Sequence, residues 1–139
     1  MISCILFGVA ETTYAISTEA VRQLEMVGTV TPLPTALPYV KGVTSIRGEV
    51  LPVVCLRSRL GIPESELDLR KRLLVVEHGE RVVAILVDSA RDFIRLDEGK
   101  IEPPPKDLDA NLVSGIYLEK ERPILFLDLA TVLDGKSLI

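Results

Sequence analysis

The sequence has few of the side chains that enzymes use for catalysis. Among its 139 residues there is one His, there are two Cys, and Trp is absent. His78 stands in a His-Gly-Glu turn, where a solvated side chain is the common outcome, and a catalytic triad would have no other base. Gly42 and Gly48 lack the Lys-Ser/Thr ending of a phosphate-binding loop. We therefore expect no enzymatic activity and no cofactor.

The two cysteines indicate neither a disulfide framework nor a metal site. Cys4 and Cys55 each lie inside an apolar run, and neither has a neighbouring Cys. The acidic groups at 64–66 and 97–98 lack the ligand spacing of a calcium loop. We expect no bound metal, and two buried free thiols in a reducing cytoplasm.

Charge and aromatic content argue against binding to nucleic acid. The formal net charge is −4 and the pI is about 5.1, whereas phosphate-binding proteins usually carry a basic excess. Aromatic residues make up 4% of the chain and are scattered, so no base-stacking face is predicted. The basic residues of 57–72 are interpreted most simply as a solvated connection. A small β-barrel module that binds a ligand or nucleic acid stays open as the alternative function.

No segment of the sequence predicts export or membrane insertion. The opening residues, MISCILFGVAE, have no basic region and reach Glu11 too early for a secretory signal. No apolar run approaches the roughly 18–20 residues that a membrane-spanning helix needs. We expect a cytoplasmic protein with no direct membrane insertion.

The residues that are abundant favour β-structure. Hydrophobic residues make up 47% of the chain, and most are Val, Leu or Ile. Their alternation predicts strands over 2–9, 14–16, 27–30, 43–46, 50–56, 73–77, 81–87, 91–96, 112–118 and 124–127. Ser17 and Thr18 predict the start of a short helix in which Val21 and Leu24 face one side. Further short helices are predicted at 56–60 and 128–133.

A faint internal repeat divides the chain. Residues 52–56, PVVCL, resemble residues 123–127, PILFL, at a spacing of 71 (123 minus 52), with a Gly-Val or Gly-Ile pair upstream of each. Units of this size seldom fold alone, and barrel closure removes exposed edges. We expect one all-β domain over 1–139, made of two intertwined units around a shared core. Their approximate boundary is predicted in the 60–72 connection.

Residues 37–56, LPYVKGVTSIRGEVLPVVCL, predict a β-hairpin around Arg47-Gly48-Glu49. With the following RSRLG, this stretch closely resembles the core motif of the CheW-like family of bacterial chemotaxis adaptors. The positions in step with the family pattern are Pro38, Tyr39, Val40, Lys41, Gly42, Val43, Arg47, Gly48, Pro52, Val53 and Leu56. Matches at 7–9, 14–16, 21–24 and 81–88 extend the resemblance over nearly the whole chain.

The resemblance implies both a fold and a function. The fold is two five-stranded SH3-like β-barrels around a shared hydrophobic core, with short helical segments. The implied function is a non-enzymatic signalling adaptor that couples the cytoplasmic tip of a chemoreceptor to the regulatory domain of the histidine kinase CheA. Such an adaptor is cytoplasmic and is recruited to membrane receptor arrays. The resemblance assigns no residue of this chain to the kinase contact.

The same resemblance implies a receptor-binding set. Arg47 would lie beside a groove between the barrels, where its planar fork could bind polar groups of a receptor helical hairpin. Val21, Leu24 and Val43 would form an apolar floor, and Gly42 would allow close approach. Each has a simpler alternative: a solvated charge for Arg47, a core position for the apolar three, and a backbone requirement for Gly42.

Three features depart from the family pattern, one of them Thr35-Ala36-Leu37, where many members have an Asn ahead of the loop proline. Many members have Asp where Cys55 stands, and many have an acid near the position of Gln23. We therefore expect the receptor preference to differ from that of the best-known members.

Overall fold

The computed structural model describes residues 1–34, 36–106 and 112–133. They form ten strands, two short α-helices and two 3-10 turns. The strands are β1 (Ile2–Val9), β2 (Thr12–Ser17), β3 (Val21–Met26), β4 (Val40–Ile46), β5 (Glu49–Cys55), β6 (Arg72–His78), β7 (Arg81–Val87), β8 (Ser89–Leu96), β9 (Val113–Glu119) and β10 (Arg122–Leu127). The helices are α1 (Leu56–Arg59) and α2 (Leu129–Leu133), and the 3-10 turns are Thr18–Ala20 and Glu98–Lys100.

Hydrogen bonds join the strands into two five-stranded sheets of the same topology. The strand order is β8-β1-β2-β10-β9 in the first, here called barrel 1, and β3-β6-β7-β5-β4 in the second, barrel 2. Neighbouring strands are antiparallel except for β2 with β10 and β5 with β7. Each parallel pair occupies the same place in its sheet. The predicted all-β fold of two SH3-like barrels is confirmed.

The loop after one edge strand closes each barrel against the other edge strand. In barrel 2, Thr31 and Val43 exchange two backbone hydrogen bonds of 2.8 and 2.9 Å. In barrel 1, Glu102 and Ile116 exchange two of 2.8 Å. These bridges join the loop that follows β3 to β4, and the loop that follows β8 to β9.

Two glycines make room for the closing loops. Gly42 is buried with φ +149°, and a Cβ atom there would overlap the carbonyl oxygen of Thr31. A Cβ on Gly115 would lie 2.6 Å from the Ile101 Cγ2 atom. A side chain at either position would therefore displace the loop. The chain's own backbone makes a close approach at Gly42, which agrees with the simpler alternative of a backbone requirement.

Both faces of each sheet are buried over much of their length. In β6, Leu73 and Val75 point into barrel 2, whereas Leu74 and Val76 point into a core shared by the two sheets. This shared core draws on both sheets and both helices: Ile5, Phe7, Val9, Tyr14, Ile16, Val40, Val54, Leu56, Leu74, Val76, Val83, Ile85, Val87, Leu112, Leu127, Leu129, Val132 and Leu133. The predicted shared core is confirmed.

The two cysteines are free and buried, as expected. Cys4 lies in the interior of barrel 1 and Cys55 in that of barrel 2. Burial, and then the negative charge of Glu98, raise the pKa of the Cys4 thiol. The thiolate, which is the reactive form, is therefore disfavoured at Cys4.

The two halves of the chain are repeats that exchange their first hairpins. Gly42 and Gly115 are equivalent, and so are the first residues of α1 and α2, at a spacing of 73 (115 minus 42, and 129 minus 56). The hairpin β1–β2 of the first half pairs with strands of the second half, and β6–β7 pairs with strands of the first. The 60–72 connection separates the repeats but joins two strands of barrel 2. The boundary predicted there does not divide the barrels.

The segment after Ser17 is a strand rather than the predicted helix. The Ser17 hydroxyl oxygen accepts a hydrogen bond of 3.2 Å from the Glu19 amide, and this cap supports only a three-residue 3-10 turn. Val21 then begins β3, which pairs along its length with β6. Residues 27–30, predicted as a strand, belong to the closing loop. Pairing with an apolar neighbour strand outweighs a weak local helix preference.

Asp88 stands where the chain passes from β7 in barrel 2 to β8 in barrel 1. Its carboxylate accepts a hydrogen bond of 2.7 Å from the Ala10 amide and bonds of 2.7–3.1 Å from the Arg57 guanidinium. Lys71 Nζ lies 3.8 Å away on a side chain that is only 4% exposed, and it donates to the Ser65 hydroxyl at 2.6 Å. The Asp88 carboxylate thus contacts the β1–β2 turn at Ala10, helix α1 at Arg57 and the 60–72 connection at Lys71.

The surroundings of Asp88 favour its charged form. Burial raises the pKa of this carboxyl, but the hydrogen bonds from Arg57 and Ala10 and the charges of Arg57 and Lys71 together outweigh it. The net result is a pKa below the ordinary value of 3.8.

Both α-helices are short, and the last turn of α2 is held by arginines from barrel 2. Arg59 donates to the carbonyl oxygens of Thr131 and Val132 at 2.8 and 3.0 Å, and Arg81 donates to that of Leu133 at 2.9 Å. None of the helices in the described ranges has the length and apolar character needed to cross a membrane.

We predict that Asp88→Asn destabilises the protein by about 2 kcal/mol at neutral pH, because two cations lose their counter-charge. The folded-state pKa of Asp88 lies below the unfolded value, so its contribution is present above about pH 4 and is lost as the pH falls through the folded-state pKa. Urea unfolding at pH 7, 4 and 3 should show the difference between wild type and variant shrinking. A difference independent of pH would contradict this role.

We predict that Gly42→Ala destabilises by about 2–4 kcal/mol, because both a steric overlap and an unfavourable φ are introduced. Gly48→Ala is the matched control: Gly48 also has positive φ, at +82°, but has open space around its Cβ position. The control should cost only about 1 kcal/mol. Equal losses in thermal or urea unfolding would show that the Thr31 contact is unimportant.

Candidate functional site

The candidate site is organised by the turn between β4 and β5. Ile46 and Glu49 are paired, which leaves Arg47 and Gly48 as a two-residue hairpin loop with φ values of +52° and +82°. Turns of this kind match the twist of the strands but require left-handed backbone, which costs a non-Gly residue about 1–2 kcal/mol. An arginine is thus held in left-handed backbone at an exposed turn, as is Lys120 at the equivalent turn of barrel 1.

The Arg47 side chain reaches solvent, as predicted. It is 76% exposed, and its Nε donates to Glu25 Oε1 at 3.2 Å. Within the described part of the chain, neither terminal amino group of this guanidinium has a hydrogen-bond partner. Both remain accessible to a carboxylate or carbonyl of a second molecule.

Val21 and Leu24 lie on β3, an edge strand of barrel 2. Leu24 is opposite Leu74 and is 42% exposed, whereas Val21 is opposite Val76 and packs against the shared core. A bulge at Arg22 separates the two positions. Leu24 is therefore an accessible apolar side chain, while Val21 is chiefly part of the core.

Val43 and Gly42 lie on β4, the other edge strand of barrel 2. Val43 is half-buried opposite Pro52, and its backbone groups are bonded to Thr31. Gly42 is enclosed beneath the closing loop. Of the five predicted residues, only Arg47 and Leu24 are substantially exposed, and barrel closure brings the turn that carries Arg47 against the strand that carries Leu24.

Four further charged residues at this end of barrel 2, Arg22, Glu25, Glu49 and Glu77, were not predicted as site residues. Arg22 bonds Glu49 at 3.1 Å through Nη1 and Glu77 at 3.2 Å through Nη2. Arg22 and Glu25 come from β3, while Arg47 and Glu49 come from the turn, so the charges of the two segments are complementary. The helix predicted over this segment gave no reason to pair Arg22 and Glu25 with charges of the β4–β5 hairpin.

A cavity of about 190 Å³ adjoins the turn, lined by Glu25, Met26, Gly28, Thr44, Ser45, Ile46, Arg47 and Leu73. Its charged groups are the paired Arg47 and Glu25. Elsewhere too, the described ranges hold no cluster of three or more His, Cys, Asp or Glu residues suited to a metal ion. The chemistry available here is recognition by one guanidinium and nearby apolar surface.

Comparison with known proteins identifies relatives over nearly the whole chain. The family model described as the CheW-like domain matches residues 3–137. "Chemotaxis protein CheW" of Bacillus subtilis is 35% identical over 137 residues, which span 96% of this chain and 87% of the relative. The protein of the same name from Rhizobium meliloti is 32% identical and covers 96% and 88%.

A solved structure has the same fold. The scaffolding protein TtCheW from Thermoanaerobacter tengcongensis superposes with a TM-score of 0.91 at 26% identity, over 99% of this chain and 92% of that one. Sequence and structure therefore agree on the relationship, and the chain belongs to the CheW-like family.

Proposed function

We propose that this protein is a non-enzymatic scaffold of chemotaxis-type signalling that couples chemoreceptor cytoplasmic tips to the regulatory domain of the histidine kinase CheA. The observation that carries the proposal is the CheW-like match over residues 3–137, with relatives named as chemotaxis proteins and a structural neighbour described as a scaffolding protein. The protein would work in the cytoplasm, recruited to receptor arrays at the membrane.

Arg47 is the proposed centre of the receptor contact. Its terminal amino groups face solvent, its turn follows directly on the Ile46–Glu49 pair of β4 and β5, and an exposed apolar residue, Leu24, lies on the adjoining strand β3. Arginine, with its planar guanidinium, is among the residues that most often dominate protein interfaces. Glu25 would release or share Arg47 when a receptor group binds.

The other three residues of the set have supporting roles in this proposal. Val21 anchors β3 to the shared core, and Gly42 with Val43 holds β4 to the closing loop. Their substitution would act on receptor binding through the positions of the two edge strands.

A nucleic-acid-binding module, the alternative, needs a row of exposed aromatic rings. Phe7, Tyr14 and Phe126 are buried, and Phe7 stacks on Tyr14 with ring centroids 5.8 Å apart. Among the six aromatic residues of the chain, Phe93 alone is largely exposed. This distribution favours the adaptor.

We predict that Arg47→Ala weakens binding to a chemoreceptor tip fragment about five- to thirtyfold, with little change in stability or kinase binding. The measurement is isothermal titration with the purified fragment, and thermal unfolding reports stability. Lys120→Ala is the matched control, because Lys120 occupies the equivalent turn of barrel 1 with φ +48°. Equal weakening by both substitutions, or none by Arg47→Ala, would remove Arg47 from the contact.

We predict that receptor fragment and CheA regulatory domain bind simultaneously, since a coupling protein must hold both. The kinase contact would therefore use a surface away from the β4–β5 turn. Analytical ultracentrifugation of the mixture should detect a ternary complex that persists at saturating concentrations of both partners. Full competition between the two partners would refute the coupling model.

A further inference from the structure

Two ion pairs link β3 to the β4–β5 turn, and the cation comes from β3 in one and from the turn in the other. Arg22 of β3 bonds Glu49 of the turn at 3.1 Å, and Arg47 of the turn bonds Glu25 of β3 at 3.2 Å. Each segment thus contributes one cation and one anion. Glu77 adds a second partner for Arg22, at 3.2 Å. We call Arg22, Glu25, Arg47 and Glu49 the turn clasp.

The strand register sets the clasp at an open end of barrel 2. Glu49 is directly opposite Ile46, whose side chain belongs to the barrel interior. Glu77 is directly opposite Val82, which packs against the same interior. Residues directly opposite one another in antiparallel strands project from the same face of a sheet. The two acids that hold Arg22 therefore project from the face that lines the barrel, beside its apolar filling.

The clasp is too exposed to contribute much to global stability. Arg22, Glu49 and Glu77 are each about half exposed, and exposed ion pairs are worth about 0–1 kcal/mol. The clasp instead affects the position of the β4–β5 turn relative to β3. The other polar links that close this side of barrel 2, among the described residues, join the loop after β3 to β4: the Thr31–Val43 bridge and a 2.8 Å bond from the Thr44 hydroxyl to the Thr29 carbonyl. Those links hold the middle of β4 and leave its turn to the clasp.

We propose that Arg22 and Glu49 are positioning residues for the partner contact of Arg47. Their ion pair holds the turn against β3, and the hydrogen bond that the Arg47 Nε donates to Glu25 directs the two terminal amino groups outward. The inference rests on the proposed function and adds two residues that act through Arg47 rather than touching the receptor. Because salt screens the Arg22–Glu49 ion pair, receptor binding should weaken as ionic strength rises, even where the receptor carries no compensating charge.

Arg22→Gln and Glu49→Gln test the inference, singly and together. Each should accelerate amide hydrogen exchange at residues 46–50 in the free protein and weaken binding of the receptor tip fragment about two- to fivefold. The double variant should be no worse than either single variant, because one interaction is lost in all three.

Arg22→Lys should recover part of the affinity. Wild-type affinity should fall more than that of Arg22→Gln between 50 and 500 mM NaCl.

Glu77→Gln is the matched control, since it removes the other partner of Arg22 and leaves the Arg22–Glu49 pair in place. It should leave both exchange and affinity near wild-type values. Unchanged exchange and affinity in Arg22→Gln and Glu49→Gln, while Arg47→Ala still weakens binding, would overturn the clasp and leave the proposed function standing. A wild-type protein that does not bind the fragment would refute the proposed function, and the exchange data would still decide whether the clasp orders the turn.

Discussion

The fold depends on one apolar core that belongs to both barrels. Each central strand divides its side chains between its own barrel and this shared core, so each sheet is covered on both faces. Hydrophobic burial of this kind is the main favourable term in folding, and a unit of about 70 residues obtains too little of it alone. The exchange of hairpins makes the arrangement mutual, because each half supplies two strands of the other barrel.

The segments that cross from one barrel to the other carry the polar interactions that fix this arrangement. Asp88 lies in one such segment and gathers Arg57, Lys71 and the Ala10 amide around a single carboxylate. A charge so enclosed is tolerated only when its partners are present, so the cluster defines which connections meet at that point. The binding surface that we propose lies on barrel 2. Its strand β3 is anchored to the shared core by Val21.

Features that depend on neighbouring residues could be predicted from the sequence. Features that depend on the pairing of distant segments could not. The β4–β5 hairpin and the exposure of Arg47 follow from residues within one turn, and both were predicted. Strand β3 was predicted as a helix because Val21 and Leu24 fit a helical spacing, whereas a bulge at Arg22 interrupts the strand alternation. The hairpin exchange and the Arg22–Glu49 pair join residues far apart in sequence, and nothing in either segment alone specifies its partner.

The exchange of hairpins also governs when the protein can fold during its synthesis. Strand β2 is synthesised 111 residues before its parallel neighbour β10 (126 minus 15), because Ala15 pairs with Phe126. On the ribosome, barrel 1 therefore cannot close until β9 and β10 have been made, and until then the apolar β1–β2 hairpin lacks most of its sheet. Such long-range pairing slows folding and prolongs the lifetime of sticky intermediates.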